Sequence, residues 1–247
     1  LLYDEDTYVR MSYPDLIEEE GAYFVTETQK DIARLHRIEG GLVTGLWAQF
    51  ANDRRVADGL VLEHLAEDGL SAVAPELPVF IGKDDERPDH GTRSLGGGFT
   101  IEMSFMLRAQ EPGMILADAR TPEGQGWVVR TAGRGDSVEL VMNDGRSQQS
   151  WASDPGSLVL GQEHHLSIIV DGGPRLILFV VDGVLNDGGP HRQFGWGRFS
   201  PDFRSANGAE TISIGSPATG EVFALRIYDR HLTVSEAIGN HRNATGK

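Results

Sequence analysis

Apolar and polar positions alternate with a period of two through most of the chain after residue 76. In Gly98-Phe-Thr-Ile-Glu-Met-Ser-Phe-Met-Leu-Arg108, the residues Phe99, Ile101, Met103 and Phe105 share one face. That is the spacing of a strand, whose successive side chains point to opposite faces. Comparable runs follow at Met114-Ile-Leu-Ala117, Gly126–Thr131, Ser137–Met142, Gln148–Trp151, His164–Val170, Leu176–Asp182, Glu210–Gly215 and Gly220–Tyr228. Turn formers punctuate them, as at Asn143-Asp-Gly145 and Asp171-Gly-Gly-Pro174, and the second of these is expected to close a hairpin. Frequent strands with little helical periodicity predict an all-β, antiparallel sandwich or barrel. One helix is expected at the end, over 233–241. Thr233 is placed to cap it, and Glu236, three residues on, can reach back to complete a capping box.

The first third of the chain reads differently. Ala22-Tyr-Phe-Val-Thr26 and Ile32–Ile38 are β-rich, and Glu18-Glu-Glu-Gly21 is turn-like. Two or three strands over 9–38 cannot bury a core alone, so a partner surface must cover them. Gly40, Gly41 and Gly45 predict turns, and a helix over Val56–Leu65 is weakened by Gly59. The expected organisation is therefore an N-terminal β fragment (1–45), a connector (46–75) and a sandwich (76–247).

Composition narrows the function. The chain has 247 residues, with 37 acidic against 22 basic side chains and a formal charge of −15. Such a surface repels phosphate backbones, which argues against nucleic acid as a partner. There are no cysteines, which removes thiol nucleophiles and Cys-based metal centres. The longest apolar run, Leu176–Val181, is of strand length and no membrane span is expected. Leu1-Leu-Tyr-Asp-Glu-Asp lacks the basic start of a signal peptide, and the absence of an initiator methionine suggests a processed chain.

Several segments resemble a known fold. Phe99-Thr-Ile-Glu-Met-Ser-Phe is similar to the opening strand of laminin-G/concanavalin A-like jelly rolls. Gly161-Gln-Glu-His-His-Leu-Ser-Ile-Ile-Val-Asp resembles their central strand, and Phe179-Val-Val-Asp-Gly-Val the Asp-Gly turn that follows. Gly220-Glu-Val-Phe-Ala-Leu-Arg-Ile-Tyr-Asp-Arg-His-Leu-Thr-Val-Ser-Glu-Ala looks like their closing strand, turn and helix. The resemblance spans about 76–242 and implies a jelly roll that binds carbohydrate. Ile227 and Leu232 are expected to be buried on either side of the Tyr228-Asp229-Arg230 turn, with Asp229 accepting backbone N–H groups. Jelly rolls of this kind often hold a hard cation through carboxylate and backbone oxygens. That implies Ca2+, with Asp182, Asp187 and Asp229 as metal ligands and Asp118 and Asn186 as further candidates. No Asp-x-Asp-x-Asp loop is present.

Met11–Lys30 resembles one late blade of the β-propellers of sialidase-like and related glycosidase-like proteins. The polar residues matching that pattern are Tyr13, Asp15 and Glu27. The resemblance implies the C-terminal portion of a propeller glycoside hydrolase, secreted or periplasmic. Either a missing segment or a second polypeptide would complete the propeller, and the jelly roll would bind the poly- or oligosaccharide. Tyr13 with Glu27 would be nucleophile and base. Alternatively, Asp15 with Glu27 would be a carboxylate pair whose separation sets the stereochemical outcome. Arg34 would anchor an anionic sugar. Only Arg10, Lys30 and Arg37 lie nearby in sequence, fewer cations than a sialic-acid site is expected to use. A polysaccharide lyase, or a non-catalytic carbohydrate-binding or adhesion module, satisfies the same pattern.

Two further features bear on ligands. His164 and His165 are consecutive strand residues facing opposite ways, so they cannot easily share a metal, and at least one is expected at a surface or an interface. His36, His64, His90 and His191 show no zinc-ligand spacing. Gly195-Trp-Gly-Arg-Phe199 sits in a long Gly-rich loop, where Trp196, helped by Arg198, is the first candidate for sugar contact. Phe194, Trp151 and Tyr228 are the other candidate aromatics, whereas Trp127 belongs to a strand and is expected in the core. The loop from Asp187 is also long enough to act as a lid.

Overall fold

A computed structural model describes residues 14–28, 33–84, 91–215 and 220–246. The chain begins with strands β1 (Leu16–Glu19), β2 (Ala22–Thr28) and β3 (Ala33–Ile38), then helix α1 (Gly40–Ala48). Next come β4 (Leu60–Leu65), β5 (Ser71–Val73), β6 (Ile81–Lys83), β7 (Thr92–Ser94) and the long β8 (Gly98–Leu107). The middle holds β9 (Ile115–Asp118), β10 (Gly126–Ala132), β11 (Ser137–Asn143), β12 (Gln148–Ala152) and β13 (Glu163–Asp171). The chain continues through β14 (Leu176–Val181), β15 (Val184–Leu185), β16 (Gly197–Arg198), β17 (Thr211–Ile214), β18 (Gly220–Tyr228) and helix α2 (Val234–Thr245).

Two antiparallel sheets face each other. One has seven strands, in the order β15-β14-β13-β8-β18-β4, with β16 also joined to β14. The other has six, in the order β12-β11-β10-β9-β17-β5. The alternation along β8 does what its period requires: Phe99, Ile101, Met103, Phe105 and Leu107 are all at most 1% exposed. Ile101 stands opposite Ile168 of β13 and Ile227 of β18, so one apolar rung crosses the three central strands. Leu116, Val129, Leu140, Met142, Ile212 and Ile214 meet them from the six-stranded sheet. Burial worth about 25 cal/mol per Å² of apolar surface makes this layer the main source of stability. Ile227 and Leu232 are buried as expected.

The outer face of the seven-stranded sheet is covered by α2, which seats Ala237 and Ile238 on Ile169 and Val180. Thr233 caps this helix, and its capping box with Glu236 is complete. Beneath the helix lies a polar cluster. Glu102 is 1% exposed and accepts hydrogen bonds from Asn240 Nδ2 and Arg226 Nη1, with His165 Nε2 at 3.5 Å. Burial pushes the Glu102 carboxyl up, but His165, Asn240 and Arg226 outweigh it and hold the group below the usual carboxylate range. Asn240 also donates to Tyr228 Oη and accepts from the Val56 amide, which ties the helix to two strands and a loop. Burial, with the Glu102 charge second, pushes the Tyr228 phenol up to about 12.

Three expectations are corrected here. The sandwich starts before residue 76: β4 pairs with β18 and β5 with β17, so the supposed connector supplies an edge strand to each sheet. Leu60, Leu62 and His64 face inward while Val61 and Glu63 are exposed, a period of two that overrides the weak helical reading. The helix lies instead at Gly40–Ala48, where turns were expected. Leu42, Val43, Leu46 and Trp47 recur at helical spacing, and Val43 is buried.

The third correction concerns the propeller. The N-terminal strands form an antiparallel meander of three strands, β1-β2-β3, and no closed propeller sheet accompanies it among the described residues. Propeller blades are four-stranded and repeat radially around a channel. Here the meander meets α1, with Tyr23 set edge-on against Trp47 at 5.4 Å between ring centroids. The fold is an antiparallel sandwich with a short appended meander and two helices.

Candidate functional site

The loop between β15 and β16 folds over β12, the edge strand of the six-stranded sheet. Its course is fixed by one carboxylate and one ring. Asp154 Oδ2 accepts from the Gly188 amide at 3.0 Å, and its Oδ1 accepts from Arg192 Nη2 at 2.8 Å. Asn186, itself buried, accepts the Asp154 amide at 2.7 Å. Arg192 also donates to the Ala152 carbonyl at 2.7 Å and lies 4.7 Å from the centre of the Trp151 ring. Trp151 Nε1 donates to the Gly195 carbonyl at 3.0 Å.

Two glycines permit this approach. A Cβ on Gly195 would stand 1.9 Å from the Asn186 carbonyl oxygen, and one on Gly197 would stand 2.4 Å from the Trp151 ring. Between and beside them, Trp196 and Phe194 remain 39% and 47% exposed, with ring centroids 4.8 Å apart and planes 37° apart. Keeping two large rings in water on a pinned loop forgoes burial that folding usually achieves. Such a surface suits the apolar face of a sugar ring.

Of the sequence-derived candidates, Trp196 lies in this site. Arg198 follows it on β16, exposed, opposite Leu176 of β14. Phe194 was only a secondary candidate and proves to be the partner ring. Trp151 is the support beneath, and Tyr228 is fully buried and is no ligand contact. What the sequence did not signal is the bracing by Asp154, Asn186 and Arg192, because those contacts join segments more than thirty residues apart.

Of the proposed catalytic residues, Asp15 and Glu27 do not come together. Asp15 pairs through its backbone with Thr26, while Glu27 is the next residue on β2. Consecutive strand residues present opposite faces, so the two carboxylates do not flank one bond. Glu27 is buried and accepts from Arg34 Nη1 at 3.2 Å and His36 Nε2 at 3.1 Å. Arg34 is thus a strut to Glu27. Tyr13 lies outside the described residues.

The expected calcium ligands do not gather either. Asp182 accepts from His164 Nδ1 at 2.7 Å and from the His165 amide at 2.8 Å. Asp187 accepts from the Gly189 amide, and Asp229 gives its own amide to the Gly59 carbonyl. Asp118 is paired with Arg120. Among the described residues no three His, Asp or Glu side chains group as metal ligands would. His164 and His165 are each 3% exposed, so neither lies at the surface. His164 packs against Phe105, and His165 faces Glu102 and His241.

Comparison with known proteins agrees with the sandwich and not with the propeller. No curated protein matches the chain. Among solved structures, the binding domain of botulinum neurotoxin DC in complex with rat synaptotagmin II is similar, with a TM-score of 0.50 and 12% identity. The alignment covers 76% of this chain and 52% of that one. The same toxin domain in complex with SialylT gives a TM-score of 0.50 at 11% identity, over 77% of this chain and 52% of that one. The chain therefore spans about half the length of these structures, and at such identity the likeness concerns the fold. They are binding domains rather than propeller glycoside hydrolases. With the three-stranded meander and the opposed carboxylates, this overturns the expected hydrolase, and the lyase reading that shared its propeller has no support. The described residues hold no helix long and apolar enough to cross a membrane. Residues 84–237 match the family model described as the concanavalin A-like lectin/glucanases superfamily. That is more than half of the chain, and the protein belongs to this superfamily.

Proposed function

We propose that the sandwich is a non-catalytic carbohydrate-binding module whose ligand lies along the β12 edge. The observation that carries this reading is the exposed Phe194–Trp196 pair on a loop braced by Asp154, Arg192 and Trp151. A preformed aromatic surface avoids the entropy of ordering a loop at binding. The glycines at 195 and 197 keep it in place. Membership of the superfamily and likeness to binding domains support the reading without supplying a substrate.

A glycan array probed with the unaltered protein and with Trp196→Ala tests it. The unaltered protein should bind a discrete set of glycans. The variant should lose about tenfold in affinity for them, equivalent to about 1.4 kcal/mol. Equal binding by both proteins would contradict the assignment.

A further inference from the structure

Past Trp151 along β12 lies a second feature of the same edge. Gln149, two residues from Trp151 and so on the same face of the strand, accepts the Ser200 amide through Oε1 at 3.0 Å. Beside it is a cleft of about 390 Å³ lined by Ile81, Thr92, Arg146, Ser147, Ser200, Asp202 and Arg204. Its geometry is set by Asp144. Oδ1 accepts the Arg146 amide at 2.9 Å and the Ser147 amide at 2.8 Å, while Oδ2 accepts the Arg204 amide at 3.0 Å. One carboxylate thus clamps two loops, sixty residues apart, with an arginine on each. Burial pushes Asp144 up, but these amides outweigh it and hold the carboxyl below its usual range. Its charge is met by backbone dipoles, which leaves the two guanidiniums uncommitted.

Arg108, Arg130, Arg192, Arg226 and Arg230 are all ion-paired. Arg146 and Arg204 meet no carboxylate within 4.0 Å among the described residues, although Asp202 lines the same cleft. Arg37, Arg54, Arg134, Arg175, Arg198 and Arg242 also lack an ion pair among the described residues; what sets Arg146 and Arg204 apart is that one carboxylate holds them together at one cleft. We propose that this cleft binds the carboxylate or sulfate of an acidic sugar between Arg146 and Arg204, within the same glycan whose other residues stack on Trp196 and Phe194. Strand rise places Ser147 about 14 Å from Trp151, the reach of a short oligosaccharide. Guanidinium groups suit planar, bidentate recognition of such anions. Ser147 Oγ accepts from Gln149 Nε2 and Ser200 Oγ from the Asp202 amide; their O–H groups still point to no acceptor among the described residues and, with the Asp202 carboxylate, can serve the sugar's hydroxyl groups. On a chain of charge −15 the pair provides local attraction against a repulsive background.

This inference rests on the carbohydrate-binding reading, and titration calorimetry with three oligosaccharides of matched length separates the two. The probes are an alginate oligomannuronate, a chondroitin sulfate fragment and a neutral mannan fragment. The protein should bind one of the acidic probes at least about tenfold more tightly than the neutral one. Arg146→Ala/Arg204→Ala should abolish that preference, and Asp202→Asn should strengthen it. Arg108→Ala, at an exposed arginine outside the cleft, should change nothing. Equal affinity for acidic and neutral probes would overturn the inference, as would an equal loss in Arg108→Ala. Neutral-probe binding lost in Trp196→Ala but untouched by the arginine changes would keep the platform and reject the cleft. Acid-selective binding lost with the arginines but indifferent to Trp196→Ala would keep the cleft and reject the platform. No binding to any probe would reject both.

Discussion

Gly197 has no room for a side chain, because a Cβ there would stand 2.4 Å from Trp151 ring atoms. Gly197→Ala should therefore lift the loop, move Trp196 and weaken glycan binding by about tenfold. The core lies elsewhere, so the thermal midpoint should fall by only a few degrees. Near-ultraviolet circular dichroism and calorimetry check the two halves of this prediction. A second residue-scale effect depends on pH. Burial lowers the affinity of His164 for its proton, yet the Asp182 carboxylate outweighs that and raises it. Asp182, pushed up by burial, is held below its usual range by His164 and the His165 amide. The histidine's contribution is fully present below about pH 6.5 and is lost as pH rises through its raised folded value. The carboxylate's contribution is present above about pH 4 and is lost as pH falls through its lowered folded value. Asp182→Asn should accordingly lower the melting temperature more at pH 6 than at pH 9. An equal drop at both values would mean that the ion pair does not act in this way.

At the scale of elements, α2 combines an apolar seat with a buried polar network. It closes the outer face of the seven-stranded sheet and supplies Asn240 to the buried Glu102. Asn240→Leu leaves that carboxylate short of a donor and should cost about 2 to 3 kcal/mol in denaturant unfolding. Thr233→Ala removes only a cap and should cost about 1 kcal/mol. Denaturant curves that rank the two variants in the opposite order would contradict the network. Both helix features differ in how far sequence reveals them. The capping box is local, so Thr233 and Glu236 were legible at once. The Asn240–Glu102 bond spans 138 residues, and no local pattern announces it. The same divide explains β4 and β5. Their sequences read as a weakened helix and a connector because edge strands are short and half exposed, and only pairing with β18 and β17 shows where they belong.

For the whole molecule, the sandwich was readable because a strict period of two meets a two-layer core. The meander was misassigned because a few polar residues at strand ends fit many architectures, and Asp15 and Glu27 were separated by the facing rule of a single strand. Trp196 was legible as an aromatic between glycines, but the brace beneath it and the Asp144 clamp were not, since each joins distant turns. The proposed ligand lies on the β12 edge. The four tryptophans make that placement directly testable. Trp127 is in the core, Trp47 is on α1 beside the meander, Trp151 is under the loop and Trp196 is on it. Their indole N–H signals, assigned by single substitutions and followed by NMR during titration with an array-selected oligosaccharide, report location residue by residue. Binding at the β12 edge should give a large shift of Trp196, a smaller one of Trp151 and none at Trp127 or Trp47. A shift of Trp47 with Trp196 unmoved would place the ligand on the meander and contradict it.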